Sequence, residues 1–441
     1  MPASTHADKH PYRQASMSAE HVAEADGNRT RQTEMLGLTG FEDRGAHQDA
    51  RRLRIELYRV GRTRSFTACA EAGRTADSND PRSEPSSAQG ALTEVSGGNS
   101  VVTTAVTARR DRTWLPLPEA GPMRAELFVP PLAFHAEGPV WWPDDGSPVA
   151  HTLRYVDMLA GRILTVDPDA FTVGPDAFAA GSRDASTEAA PTPVTPDMVA
   201  ALDVPGPVAA CLRPRRGGGI AVLTEHGLSV SDDPAGGEWT PLVELLTDPD
   251  IRLNEGGCDP AGRFLAGTMR YDQRENGATL FQISGDGAVS TVFDDVTISN
   301  GIAWSRSGDR AYYNDTPTRS TWVLDWSEDA GLSQPRRLFT LDPDDPAGGP
   351  DGLCLDAEDN VWTAIYGGSR VECRDVAGTL LEVVDLPVTN VTACTFGGPD
   401  LRTLFITTSQ EDLTPGAQPE AGAVFAAEPG VTGVPVTPFA G

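Results

Sequence analysis

The feature that most restricts what this chain can fold into is a repeat. A turn made of Gly, Pro, Asp, Asn or Ser, followed by a short apolar run, recurs six times. The instances are Pro143-Asp144-Asp145-Gly146, Arg213–Gly219, Asp259–Gly262, Arg306-Ser307-Gly308, Asp356–Asn360 and Gly398-Pro399-Asp400. From the second to the sixth, the starts fall roughly 42–50 residues apart, the length of one four-stranded propeller blade. In Asp259-Pro260-Ala261-Gly262, Asp opens the turn, Pro presets the first central residue and Gly closes it. Arg263–Met269 then reads as a short buried strand. Helical periodicity is nearly absent, and only Asp197–Leu202 and Leu242–Leu246 leave room for a helical turn. The pattern predicts an all-β, six-bladed β-propeller over residues 123–441. A β-sandwich or a two-domain β protein is the competing architecture. The first interval is longer, about 70 residues, and contains SRDASTEAAPTPVTP at Ser182–Pro196, which reads as an inserted surface loop.

Residues 1–115 have a different character. Arg, Ser, Thr, Ala and Gly dominate, and Asp77–Asn99 is nearly all small and polar. Such a segment buries too little apolar surface to offset its ordering entropy. Residues 1–122 are therefore expected to be a disordered extension. Met123 stands just before the first strand-like run and is itself a candidate start for a protein of about 319 residues. Of the formal charge of −28, residues 116–441 carry 19 basic and 48 acidic side chains, a net −29, and residues 1–115 carry 16 and 15, a net +1. A strongly acidic domain argues against nucleic acid or an anionic membrane as partner and attracts cations. No apolar span is long enough for a transmembrane helix. The first thirty residues lack the apolar core of a secretory signal. The six cysteines are scattered with no C-x-x-C pair, and several sit in strand-like contexts such as Leu353-Cys354-Leu355. Buried free thiols in a cytoplasmic protein are the expectation.

Propellers converge on a central channel, so polar residues that begin inner strands in different repeats are the candidate site. Glu137, Asn300 and Asp351 are each followed by Gly and then by an apolar run. Glycine lets backbone approach a site closely. Two carboxylates and a carboxamide form a hard oxygen set that suits Ca²⁺, Mg²⁺ or Mn²⁺, with positions left for water and substrate. Arg252-Leu253-Asn254 alternates polar, apolar, polar, which puts a guanidinium and a carboxamide on one face of an extended segment. Such a pair can hold a polyhydroxylated ligand. His135, two residues before Glu137, would face the same side of a strand. No G-x-S-x-G elbow is present.

From Met123 onward the chain resembles the SMP-30/gluconolactonase/regucalcin-like family of six-bladed propellers. The resemblance is carried by HAEGPVWW at His135–Trp142, RLNEGGCDPAGRFLAGTM at Arg252–Met269, ISNGIAWSRSGDRAYYNDTPTR at Ile298–Arg319, PDGLCLDAEDNVWTAIYGGSRV at Pro350–Val371 and TACTFGGPDLRTLFITTS at Thr392–Ser409. It implies a divalent-metal-dependent hydrolase of sugar lactones. It places the metal on Glu137, Asn300 and Asp351, with Ca²⁺ the leading candidate and Zn²⁺, Mg²⁺ or Mn²⁺ as others. It places substrate contacts on Arg252 and Asn254, and a further acidic one on Asp272. Similar proteins often carry N-D-G where this chain has Asn254-Glu255-Gly256. Asp351 is expected to serve as both ligand and general base. The rival readings are a non-enzymatic calcium-binding regulatory propeller and a related propeller hydrolase of non-sugar esters. A small-molecule sugar lactone is the expected partner, and the protein is expected to be a monomer or a weak homo-oligomer.

A protein starting at Met123 is expected to keep the thermal transition and the activity of the full chain. Loss of the cooperative transition in that shortened protein would count against a dispensable extension.

Overall fold

The computed structural model describes residues 91–92, 104–105, 123–166 and 194–441. The chain divides into two compact units, Met1–Asp111 and Arg112–Gly441. In the first unit the described residues form one short antiparallel ladder, Ala91–Leu92 against Thr104–Ala105. The disorder expected of residues 1–122 otherwise lies outside the described residues. So does most of the loop read at Ser182–Pro196.

Among its described residues, the second unit consists of six sheets, each a blade whose core is three or four consecutive antiparallel strands. The first strands of the blades are Ala136–Trp141, Ala209–Pro214, Ile251–Cys258, Ser299–Trp304, Gly349–Leu355 and Val391–Gly397. Each packs against the first strands of both neighbours, which closes a ring around a channel. All six repeated turns join a first strand to the second strand of the same blade. In the third blade, the Gly262 N–H donates to the Asp259 carbonyl at 2.8 Å. The second strands lie between neighbouring blades and are covered on both faces: Ile220–Thr224 and Phe264–Arg270 are buried throughout. That is why they read as continuous apolar or small-residue runs rather than as alternating ones. The outer strands, such as Val289–Val296 and Leu380–Asp385, are half exposed.

The ring is closed by the two ends of the unit. Glu126–Val129 is the outermost strand of the sixth blade and pairs antiparallel with Val424–Ala427, Leu127 lying opposite Phe425. Met123–Arg124 pairs instead with the fifth blade, parallel to Leu380–Asp385, so one N-terminal segment stitches two blades. Closure of this kind pairs strand edges that would otherwise be open. The C-terminal tail then crosses the turn end of the ring. The Val434 N–H donates to the Leu355 carbonyl at 3.2 Å, the Phe439 N–H to the Pro214 carbonyl at 2.8 Å, and the Ala440 N–H to the Gly262 carbonyl at 2.9 Å. Phe439 is fully buried, with its ring 5.9 Å from that of Phe264.

Of the two stretches that leave room for a helical turn, the first holds a short one and the second does not. Pro196–Met198 is a single 3₁₀ turn, and Val199–Asp203 continues as the outer strand of the first blade. Leu242 likewise belongs to a strand, Thr240–Glu244. Edge pairing in a blade overrides the weak local helical preference. Among the described residues no helix is long and apolar enough to cross a membrane.

Removing everything after Pro419 takes away both Val424–Ala427 and the tail. The expected outcome is loss of the cooperative thermal transition. Phe439→Ala alone is expected to cost about 3–5 kcal/mol in urea unfolding. Unchanged stability in either variant would show that the ring closes by other means.

Candidate functional site

Every first strand carries one extra residue at the same level of the channel. In the first blade Glu137 pairs with Val156 and Val140 with Arg154, so two residues oppose one. The same step falls between Leu253 and Gly256, between Ser299 and Ile302, and between Pro350 and Leu353. In the second and sixth blades the extra residues are Ala210 and Thr392. A β-bulge bends its strand and re-aims side chains. Glu137, Asn254, Glu255, Asn300 and Asp351 all lie at these bulges or directly beside them. All five are buried; Glu137, Asn300 and Asp351 are 3%, 6% and 4% exposed.

The glycines explain how the bulges are tolerated. Gly138 takes φ +50° and its N–H donates to Glu137 Oε2 at 2.8 Å. At Gly301 an added Cβ would lie 2.7 Å from the Asp351 carbonyl oxygen. Only glycine lets the strands bearing Asn300 and Asp351 approach this closely.

A polar network links the blades. Arg252 Nη1 donates to Asn254 Oδ1 at 2.6 Å. Asn254 Nδ2 donates to the Ser299 carbonyl at 2.9 Å and to Asn300 Oδ1 at 3.0 Å. Asn300 Nδ2 donates to Thr316 Oγ1 at 2.7 Å, and that hydroxyl donates to the Pro350 carbonyl at 2.9 Å. Asn314 Nδ2 donates to the Asp351 carbonyl at 2.5 Å. Both orienting residues lie in the Asn314–Arg319 part of a motif quoted above (NDTPTR), but their roles depend on the neighbouring blade and could not be read along the chain.

The electrostatics are those of crowded, buried carboxyls. Burial first, then the Glu255 charge, pushes Glu137 well above the usual carboxylate range. Burial first, then Glu137, does the same to Asp351. Burial raises Glu255 to about 7 against the pull of Arg213. Burial and the Arg252 charge lower His135 to about 3, so its imidazole is neutral at pH 7. His135 Nδ1 shares a hydrogen bond with Ser409 Oγ at 2.7 Å and lies 3.3 Å from Glu411 Oε2. Glu411 was not singled out in the sequence. It follows the second strand of the sixth blade, and only ring closure brings it to His135 and Arg252.

Asp272 stands apart from these residues. It lies in an exposed turn with its side chain 57% accessible, and its carboxylate accepts from Arg270 Nε at 3.1 Å and from the Arg274 N–H at 3.2 Å. Its position after Arg270 puts it beside the start of the third blade's first strand, since Ile251 pairs with Arg270.

The chemistry of the site fits a hard cation. Several buried side-chain atoms of the described residues lack a hydrogen-bond partner, and three of them belong to the channel: Asp351 Oδ1, Glu255 Oε2 and Arg252 Nε. Two mutually repelling carboxyls and an unpartnered carboxylate oxygen are stabilised by a positive charge between them. Among the described residues no cluster of three or more His, Cys, Asp or Glu side chains is arranged to hold a metal ion. A cation here would therefore draw on two carboxylates together with amide oxygen.

Fold and channel together define a six-bladed propeller with a buried acidic, amide-rich site at its axis. The SMP-30/gluconolactonase/LRE-like region matches residues 135–410, and the chain belongs to that family. It is 32% identical over 319 residues to regucalcin of Xenopus laevis, covering 69% of this chain and 94% of that protein. It is 31% identical over 308 residues to pentonolactonase XacC of Haloferax volcanii, covering 68% and 92%. It is 37% identical over 196 residues to the putative sugar lactone lactonase YvrE of Bacillus subtilis, covering 43% and 66%. Among solved structures, a calcium-binding regucalcin from Agrobacterium tumefaciens shares the fold with a TM-score of 0.59 at 22% identity, covering 72% of this chain and 98% of that one.

Ca²⁺ is expected to raise the thermal midpoint of the protein. At 100 times its Kd a ligand specific to the folded state adds about 2.7 kcal/mol. Glu137→Gln is expected to weaken that response. A midpoint indifferent to Ca²⁺, Mg²⁺, Mn²⁺ and Zn²⁺ would argue against a cation in the channel.

Proposed function

We propose that this protein hydrolyses sugar lactones at the channel, using one divalent cation held by Glu137, Asn300 and Asp351. The observation that carries this reading is the pair of buried, unpartnered atoms, Asp351 Oδ1 and Arg252 Nε. One calls for a cation or a proton donor, the other for an acceptor oxygen. A lactone with ring hydroxyls and an attacking water supply both. Relatives named as a pentonolactonase and a putative sugar lactone lactonase support the same reaction class.

When bound, the cation supplies polarisation of the lactone carbonyl and a lowered pKa for the attacking water. The rest falls to the chain. Arg252 is set by its bond to Asn254, which aims the guanidinium at ring oxygens. The Asn254 amide hydrogens are committed to Ser299 and Asn300, so Asn254 meets a substrate hydroxyl through Oδ1. Asp351 accepts a proton from the water as its oxygen bonds to the carbonyl carbon. The ring C–O bond then breaks, and the proton passes to the leaving oxygen to give the hydroxy acid. Neutral His135 and Glu411 form the wall facing Arg252. Asp272, if it meets substrate, does so from the rim after leaving Arg270. The partner is thus a small molecule, in keeping with an acidic chain of formal charge −28, and a single copy of the ring contains every residue invoked.

A non-enzymatic calcium-binding propeller, as the regucalcin relatives bring to mind, would use the same carboxylates. It leaves Arg252 Nε without a role, which favours the enzyme. Asp351→Asn keeps the shape and one oxygen donor but removes the base. Turnover of sugar lactones is expected to fall roughly 10²–10⁴-fold, read from initial rates with the cation supplied. Full activity in that variant would remove Asp351 as the base. Asn254→Ala is expected to raise KM more than it lowers kcat. An unchanged KM would take Arg252 and Asn254 out of substrate binding.

A further inference from the structure

At the turn end of the channel lies a cavity of about 390 Å³, lined by Val434–Thr437 of the tail and, among others, Arg213, Glu255, Cys354 and Cys394. Cys354 is on the first strand of the fifth blade and Cys394 on the first strand of the sixth. Their sulfurs are 3.6 Å apart. The two strands belong to different sheets, yet their backbones come close. An added Cβ at Gly352 would lie 2.4 Å from the Ala393 Cβ and 2.7 Å from its Cα. Both cysteines are free thiols, and Cys354 is only partly buried.

We propose that Cys354 and Cys394 form an oxidation site, a dithiol that closes to a disulfide and staples the fifth blade to the sixth. The sulfurs need roughly 1.5 Å of approach to reach the S–S bond length of about 2.05 Å, within the reach of side-chain rotation and small strand shifts. The oxidant is a peroxide that enters the cavity. One thiolate attacks the peroxide oxygen, giving a sulfenic acid and releasing water. The second sulfur then attacks the sulfenic sulfur, the S–S bond forms, and a second water leaves. In balance, two S–H bonds and one O–O bond break, and two electrons pass from sulfur to oxygen. Cys394 is held in place by its bond to the Trp362 carbonyl at 3.4 Å. Burial and the neighbouring thiol push the Cys354 thiol upward, so closure is slow near neutrality and speeds up as pH rises. The site answers sustained oxidation rather than a brief pulse.

The test uses the full chain, reduced and then exposed to hydrogen peroxide. Intact mass and peptide mapping without reductant are compared with those of Cys354→Ser and Cys394→Ser. The expected result is loss of the mass of two hydrogens, a linked peptide pair containing Cys354 and Cys394, and reversal by dithiothreitol. Neither variant should form that linked pair. Both thiols still titratable after oxidation, oxidation that stops at a sulfinic acid on one of them, or a disulfide joining other cysteines would each overturn the assignment. The readout does not depend on lactone turnover, so it stands or falls separately from the proposed activity.

Discussion

The structure depends on one extra residue in the first strand of each blade. A regular strand alternates its side chains between two faces, so it offers the channel one residue in two. The bulge breaks that alternation at a fixed height, and neighbouring positions such as Asn254 and Glu255 are both buried at the axis. The cost is local: a left-handed backbone at Gly138 and backbone that a Cβ would obstruct at Gly301, both met by glycine. Because the ring repeats the device six times, polar groups from non-adjacent repeats meet at one level. Ala210, the extra residue of the second blade, brings no polar group there, and the site is correspondingly lopsided.

Charge is distributed along the channel with equal economy. Beyond burial, the Glu255 charge raises Glu137 and the Glu137 and Glu255 charges raise Asp351, while Arg213 pulls Glu255 down and Arg252 pulls Glu137 down. Buried carboxyls without full compensation are costly in a structural core. Their presence at the axis, beside an unpartnered guanidinium nitrogen, marks a place shaped for a ligand rather than for stability. The outer strands carry the solvent-facing acidic residues, and these bear on solubility rather than on the site.

The two ends of the channel are finished differently. At the mouth, residues just before and after the blade strands, such as His135 and Glu411, stand near Arg252. At the turn end, the tail crosses from the fifth blade to the second and third; its Val434–Thr437 line the cavity there, and Phe439 is buried further along. The thiol pair lies at this turn end, in the lining of that cavity.

By itself the sequence determined the class of fold and the count of blades. Turns at a period of about one blade, each followed by an apolar run, are local signals, and local signals survive in a linear reading. It also placed Glu137, Asn300 and Asp351 at equivalent points of three repeats, and Arg252 with Asn254 on one face, because equivalence and alternation are properties of spacing. What only the tertiary structure decided is everything that crosses between blades. The bulges show up only against a partner strand. The donation from Asn254 to Asn300, the hold of Thr316 and Asn314 on the fifth blade, and the meeting of His135 with Glu411 join residues of different repeats. So do the contact of Cys354 with Cys394 and the path of the tail. These pairings are set by how twisted sheets pack around an axis and by which edges remain to be closed, and neither quantity is written in the local order of residues.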